Sequence, residues 1–436
     1  MKNKLRVVYL CQFRNNHFTE ILPLEFDILS KLTYYFKKKS RTISVSEGSV
    51  WNINAFKEFE RFSDEIELHV ISPYPFLAEK YYHFEENGIN YHIFKNEDDR
   101  PDRLLFNRLT KYKFLSYSRN KRKICNIINE VKPDIIHLIG AENPSYAAAI
   151  LDIPKDIPVL TQLQTLLNDP DFEKNYYMYK PWYNFRSEME MKILKRSDFL
   201  GTIETSFNRI LKDCLGIDKI VLNTTLALTE PININSFDKT YDFVYYARNI
   251  EKAADWAIEA FILASQKHPH ITLDIVGGFT SDYKELLVKK LSNYGLKDNV
   301  IFEGEQITHD DVLNLVRKSR FAILPMKVDL VTGTIRECMA NGIPVVTTIT
   351  PASPQLNARR ESVLLSEKGD FNGMAENMCK LLESHVFADF IKNNAIITSS
   401  ERSSNFDIVT KYIAAYHAII DYKRFDTPVP EYLISK

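Results

Sequence analysis

Two acids, Asp329 and Glu337, flank the turn Thr332-Gly333-Thr334 within Phe321 to Thr348, FAILPMKVDLVTGTIRECMANGIPVVTT. The apolar run Phe321 to Met326 predicts a buried strand, Thr334 to Asn341 a short helix stopped by Gly342, and Ile343 to Thr348 a second, β-branched strand. The loop between them would lie at the carboxyl end of a parallel strand and feed the amino end of a helix. Backbone N–H groups and the helix dipole favour phosphate there. A carboxylate such as Glu337 can accept both hydroxyls of a ribose in bidentate fashion. Thr334-x-x-Glu337 is equally the spacing of a capping box, which needs no ligand. Asp329 alone reads as a solvated loop acid. Arg248 and Lys252 follow the strand-like run Phe243 to Tyr246, again at a ligand-facing edge. Two fixed positive charges at such an edge suit a departing diphosphate; in isolation they read as exposed cations flanking a helix start.

These residues need a scaffold that brings strand ends together. The chain has 436 residues, more than one ordinary core accommodates, so two domains are expected. Hydrophobic content of 45% and charged content of 26% are those of a globular protein, and a net charge of −1 gives no bulk attraction to nucleic acid. MKNKLRVVYLCQF reads as a first strand, not a secretion signal. No run approaches the length of a membrane-spanning helix. Cys11, Cys125, Cys214, Cys338 and Cys379 are scattered with no CxxC or Cys/His spacing, so neither a disulfide framework nor a zinc motif is indicated, and a cytoplasmic location is expected. Strand-like and helix-like segments alternate from Lys4 to Asn223, lapse in the polar stretch Leu226 to Lys239, and resume from Asp242. That order implies an α/β architecture with two parallel sheets, each covered on both faces.

Taken in order, Arg248 and Lys252 after a strand, Val276-Gly277-Gly278, DNVIFEGE at Asp298 to Glu305, LPM, and Asp329-x7-Glu337 running into ECMANGIPVV resemble the nucleotide-binding half of a GT-B glycosyltransferase of the family 4 (group 1) type, retaining in stereochemistry. The resemblance covers about Phe243 to Leu382. It implies two Rossmann-like domains facing a cleft, with 1–232 binding the acceptor and completed by a terminal helix in 406–436, and 233–405 binding the nucleotide sugar. It further implies that Arg248 and Lys252 hold the donor diphosphate and that Asp329 touches the transferred sugar. Thr332, Gly333 and Thr334 would meet phosphate or sugar through backbone N–H groups. Glu337 would bind ribose, and Gln306, beside Glu305, would border the base. No tightly bound cofactor and no metal are expected. Asp329 stands where the family has glutamate, and the Arg248 to Lys252 spacing is one residue tighter than the commonest form.

The amino-terminal half resembles the family more loosely, through PDIIHLIGAENPSYAAAI, IPVLTQLQT and RSDFLGTIETSFNRIL. Gln164 occupies the position where many members have histidine; glutamine can exchange hydrogen bonds but cannot take a proton. The glycine pair usual after the first strand is absent, and Gly48, before Ser49 and Trp51, is the candidate replacement. Glu142 and Asn143 follow a strand end and could line the acceptor site or cap a loop. His137 reads as a core histidine, and Asp169-Pro170-Asp171 as a turn rather than a metal motif. Arg103 to Glu130 reads as one helix with eight Lys or Arg and no acid from Arg103 to Lys123. That segment reads as a solvated face or as a surface for an anionic membrane carrying a lipid-linked acceptor. The activity implied is transfer from a UDP- or GDP-sugar to a glycan or lipid-linked acceptor in bacterial surface polysaccharide synthesis. A non-catalytic GT-B partner and a nucleotide-sugar epimerase are the alternatives.

Overall fold

The structure, a computed structural model, describes residues 4–25, 47–74, 76–98, 106–175, 178–228, 238–247, 253–328 and 331–435. Arg248, Lys252 and Asp329 lie outside the described residues. The chain forms two compact units: unit 1 holds 1–173, 178–227 and 404–436, and unit 2 holds 174–177 and 228–403.

Unit 1 is built on an eight-stranded sheet of order β3-β4-β2-β1-β5-β6-β7-β8. The strands are β1 (Leu5–Leu10), β2 (Ile66–Tyr74), β3 (Tyr81–Glu86), β4 (Ile89–Lys95), β5 (Ile135–Ile139), β6 (Val159–Gln162), β7 (Phe199–Gly201) and β8 (Val221–Leu222). The central strands are mostly apolar because helices cover both faces, and every residue of β5 is buried, His137 included. The pairings are parallel except that β3 runs antiparallel to β4. This departs from the expected all-parallel sheet. Asn87 (φ 52°) and Gly88 (φ 76°) form a two-residue left-handed turn, and Asn-Gly is the dipeptide such hairpins favour.

The basic segment is not one helix. A single turn near residues 106–109 gives way to turns in which Lys111, Tyr112 and Tyr117 all take positive φ, and the helix proper is Ser118–Val131. The Asp98 carboxylate sets its start by accepting from the N–H groups of Arg119 (3.2 Å) and Asn120 (3.1 Å). The last helix, Asn405–Phe425, opens on a capping box between Ser404 and Asp407. Its Tyr416 hydroxyl hydrogen-bonds His137 Nδ1 at 2.7 Å, and Tyr412 meets the same ring edge-on. His137 is fully buried, and burial pulls its pKa down to about 3, so it is a neutral core residue. Asp169 accepts from the Asp171 N–H at 3.1 Å, which makes that acidic pair a turn.

Unit 2 carries a six-stranded parallel sheet of order β11-β10-β9-β12-β13-β14. Its strands are β9 (Tyr241–Tyr246), β10 (Leu273–Val276), β11 (Val300–Gly304), β12 (Ser319–Leu324), β13 (Val345–Thr348) and β14 (Leu364–Ser366). The helices Ala254–Ser265 and Phe371–Glu383 pack together, and so do Gly333–Ala340 and His385–Ser400. At the end of β10, Gly277 has φ 144°, and a Cβ there would lie 2.0 Å from the Ala247 carbonyl oxygen. Only glycine lets the ends of β9 and β10 close up so tightly. No helix among the described residues is long and apolar enough to cross a membrane.

Candidate functional site

The carboxyl ends of β9, β10, β11 and β12 in unit 2 carry most of the residues singled out for the donor. They are stitched together by backbone: Ala247 N–H donates to the Val276 carbonyl (3.2 Å) and Gly277 N–H to the Gly304 carbonyl (2.9 Å). Gly278 lies where a Cβ would touch Glu305 at 3.1 Å. Gln306 turns its amide back onto its own loop, donating to the carbonyls of Glu303 (3.3 Å) and Gly304 (3.4 Å).

The helix after β12 spans Gly333–Ala340, starting one residue earlier than the sequence pattern indicates. Thr332 is the residue before it, fully buried and left-handed (φ 57°), and its side chain makes no capping bond. Instead its hydroxyl donates to the Val331 carbonyl (2.7 Å) and accepts from Arg336 Nε (2.9 Å). Thr334 therefore sits inside the helix, and the Thr334–Glu337 capping box does not form. The Glu337 carboxylate is held from elsewhere: His309 Nε2 lies 2.9 Å from Oε1, and the Tyr246 hydroxyl lies 3.1 Å from Oε2. The Tyr246 hydroxyl also reaches the Thr334 carbonyl at 2.7 Å, and burial raises its pKa far enough to keep the proton on oxygen. Tyr246 ends β9 and His309 opens the helix His309–Val316, so three separate elements meet at one carboxylate.

The described flanks of the two undescribed segments also meet. Lys327, just before Asp329, places Nζ 3.6 Å from Asp255 and over the Trp256 ring, just after Lys252. Tyr246, His309 and Lys327 were not singled out from the sequence. For Tyr246 the signal was available, since it is the last residue of a strand whose next loop carries Arg248.

In unit 1 the acceptor candidates gather at the ends of β1, β5 and β6. With its amide oriented to suit its neighbours, Gln164 donates to Glu142 Oε1 (3.3 Å) and accepts from the Trp51 indole N–H (3.2 Å). The Glu142 backbone carbonyl accepts from Arg186 Nε (2.9 Å) and Nη2 (2.7 Å). Its carboxyl folds over Gly140, where a Cβ would come within 2.6 Å of Oε2. Burial pushes the Glu142 pKa up to about 7, against the pull of Arg186. Asn143 donates to the Gln12 side chain and, through Oδ1, caps the following helical turn at Ser145. Gly48 pairs with Arg14 through both of its backbone groups at 3.0 Å, and the left-handed residue of that loop is Ser49 (φ 57°). The Gly48 N–H is thus already committed to the Arg14 carbonyl.

Comparison with known proteins shows what each part of the chain is similar to. Residues 240–384 match the family described as Glycosyl transferases group 1. N-acetyl-alpha-D-glucosaminyl L-malate synthase of Bacillus anthracis is 24% identical over 134 residues, a match spanning 31% of this chain and about a third (34%) of that protein's length. Sucrose-phosphate synthase from Thermosynechococcus elongatus superposes with a TM-score of 0.66 at 14% identity, covering 95% of this chain and 98% of that one. Anabaena HepE, solved in complex with UDP and glucose, gives 0.62 at 13% identity over 95% and 100% of the two chains. The two sheets are those of the GT-B fold. The match to the group 1 glycosyltransferase family lies within unit 2, and the likeness to the solved structures is one of fold.

Proposed function

We propose that this protein transfers a sugar, with retention of configuration, from a UDP- or GDP-sugar held by unit 2 to a glycan or lipid-linked acceptor held by unit 1, in the synthesis of a bacterial surface polysaccharide. The observation that carries the reading is the fixing of Glu337. A carboxylate oriented by a histidine and a tyrosine from two other strand–helix junctions is built for a bidentate partner, whereas a helix cap would need neither. Thr332 and Gly333 lead into the positive end of the same helix. Arg248 and Lys252 neutralise the diphosphate, and Asp329 meets the transferred sugar. Gln306 and its neighbours border the base. Gln164, Glu142 and Asn143 present the acceptor, with Gln164 as a binding rather than a proton-accepting group.

The leaving phosphate takes the acceptor proton, so no protein nucleophile and no metal enters the transfer. Solution of HepE with UDP and with UDP-glucose supports the choice of donor class.

The protein works in the cytoplasm at an anionic membrane face. Phe106, Leu109 and Phe114 stand largely exposed among Arg108, Lys111 and Lys113, the composition of a surface that inserts side chains among acidic headgroups. Flotation with anionic vesicles checks this: wild type floats, and a Phe106→Ser, Leu109→Ser, Phe114→Ser triple variant does not.

Calorimetry with UDP and GDP tests the donor site. One of the two binds, and Glu337→Ala weakens it at least about tenfold, as loss of charged hydrogen bonds to two hydroxyls requires. Binding of neither nucleotide, or affinity untouched by the substitution, overturns the assignment. Acceptor-dependent release of nucleoside diphosphate separates transfer from epimerisation and from a non-catalytic scaffold.

A further inference from the structure

At the end of the unit 2 sheet away from the donor loops, three side chains of different chemistry converge. The helix Ala254–Ser265 leaves the carboxyl end of β9 and runs to the amino end of β10; Phe371–Glu383 likewise descends from β14. Their far ends therefore lie at the amino edge of the strands. His268 sits just past the first helix, in a loop locked by its own N–H to the Ala264 carbonyl (3.1 Å) and by the Ile271 N–H to its carbonyl (3.2 Å). Cys379 and Glu383 are one turn apart on the second helix, and so share one face. His268 Nε2 is 3.0 Å from Glu383 Oε1, and donor atoms of all three residues lie within 4.8 Å of one another. Among the described residues, this is the cluster of metal-ligating side chains drawn this close.

We propose that His268, Cys379 and Glu383 form a binding site for a zinc-type divalent cation that clamps the ends of these two helices together. One nitrogen, one sulfur and one carboxylate oxygen are the ligand set that a borderline-soft cation takes, and three protein ligands leave a fourth position for water. Calcium and magnesium, which demand oxygen, find one carboxylate only. A metal at about 2.3 Å from sulfur and about 2.0 Å from nitrogen and oxygen draws the donors to within about 3.5 Å of each other. The partly exposed His268 and Glu383 side chains close that gap by rotation, while Cys379, buried against the core, stays fixed. Burial raises the Cys379 thiol, so in the metal-free protein the proton stays on sulfur. Binding exchanges that proton for the metal and releases it to solvent. In the metal-free protein the contact with Glu383 Oε1 needs the ring proton on Nε2, so coordination through Nε2 moves that proton to Nδ1 and frees the carboxylate for the metal. The His268–Glu383 contact alone would be an ordinary surface pair of little consequence; the thiol behind it gives the pair a function.

The test uses the full chain carrying Cys125→Ala and Cys214→Ala, the two cysteines that are not buried. Cd2+ added to metal-free protein gives a thiolate-to-metal absorption band that saturates at one equivalent, and Cys379→Ser removes it. Zn2+ raises the thermal midpoint of the parent and leaves that of His268→Ala, a partly exposed and foldable variant, unchanged. Absence of the band at one equivalent, its survival in Cys379→Ser, or an equal Zn2+ response in His268→Ala overturns the proposal. Because the readouts involve neither nucleotide nor sugar, failure of the donor assignment leaves this result standing.

Discussion

Glu337 shows how a single carboxylate is made directional. It lies just past the middle of an eight-residue helix, yet its orientation comes from Tyr246 and His309, residues of two other elements. Tyr246→Phe removes one of those holds without touching the carboxylate. Nucleoside diphosphate affinity should fall about fivefold, the worth of one hydrogen bond, with the thermal midpoint little changed; calorimetry and a melting curve check both. Asp274 is the opposite case. It is fully buried in β10, with both carboxylate oxygens lacking a hydrogen bond among the described residues. Burial, reinforced by Glu303, pushes its pKa up to about 7. The folded-state pKa lies above the unfolded one, so the uncharged form is favoured by folding. Its contribution to stability is fullest below about pH 4, falls as pH rises, and levels off above about pH 7. Asp274→Asn should therefore stabilise the protein by about 1–3 kcal/mol at pH 8 and by little or nothing at pH 4. Melting curves at the two pH values decide.

The same scale shows what a sequence conveys. Glu337 and the Thr332-Gly333-Thr334 turn were legible because their spacing follows a strand and opens a helix. His309 was not, because a histidine at a helix start is ordinary until the fold brings it to the carboxylate; Tyr246 had only its place at a strand end, ahead of Arg248, to mark it. Trp51 and Arg186, which complete the Gln164 and Glu142 cluster, were hidden for the same reason. Glu142 shows the limit from the other side: its position was readable, but its raised pKa depends on burial, which no local pattern encodes.

At the scale of elements, the alternation of strand and helix was read from apolar runs, and the two sheets follow it. The errors lie where backbone chemistry overrides pattern. The hairpin of β3 and β4 was announced by Asn87-Gly88 but passed over, since the surrounding alternation suggested crossover connections. The basic segment broke at Lys111, Tyr112 and Tyr117 because their positive φ values end a helix that periodicity alone would continue. Glycine in a tight junction is the converse. Gly277→Ala would force a methyl group against the Ala247 carbonyl, so the ends of β9 and β10 must part. A loss of at least about 2 kcal/mol is expected. Nucleotide affinity should fall as well, because Ala247 leads directly into Arg248. Tyr416→Phe leaves buried His137 without its hydroxyl partner and should cost about 1–2 kcal/mol, read by chemical denaturation.

For the whole molecule, the informative fact is that unit 1 is assembled from distant parts of the chain while nearly all of unit 2 is continuous. Truncation after Ser403 removes Tyr412 and Tyr416 from the core around His137 and leaves the unit 2 sheet with all its strands. Hydrogen exchange should show β1 and β5 losing protection while β9, β10 and β12 keep theirs. Equal loss in both units would show that the two cores are not separate. That the chain would form two α/β units followed from its length and from the polar lapse near Leu226. The closing of unit 1 by its last helix was suggested by resemblance, and its physical reason is the buried histidine that this helix satisfies.

That arrangement has a consequence for the order of events during synthesis. Strands β1 to β8 leave the ribosome first, but the partner of His137 follows it by 279 residues. Unit 2 can reach its native core while unit 1 still lacks Tyr416. The nascent chain therefore carries an open apolar seam beside β5 until residues 404 onward emerge, and it is at this stage, rather than in the finished protein, that a chaperone would find a surface to hold.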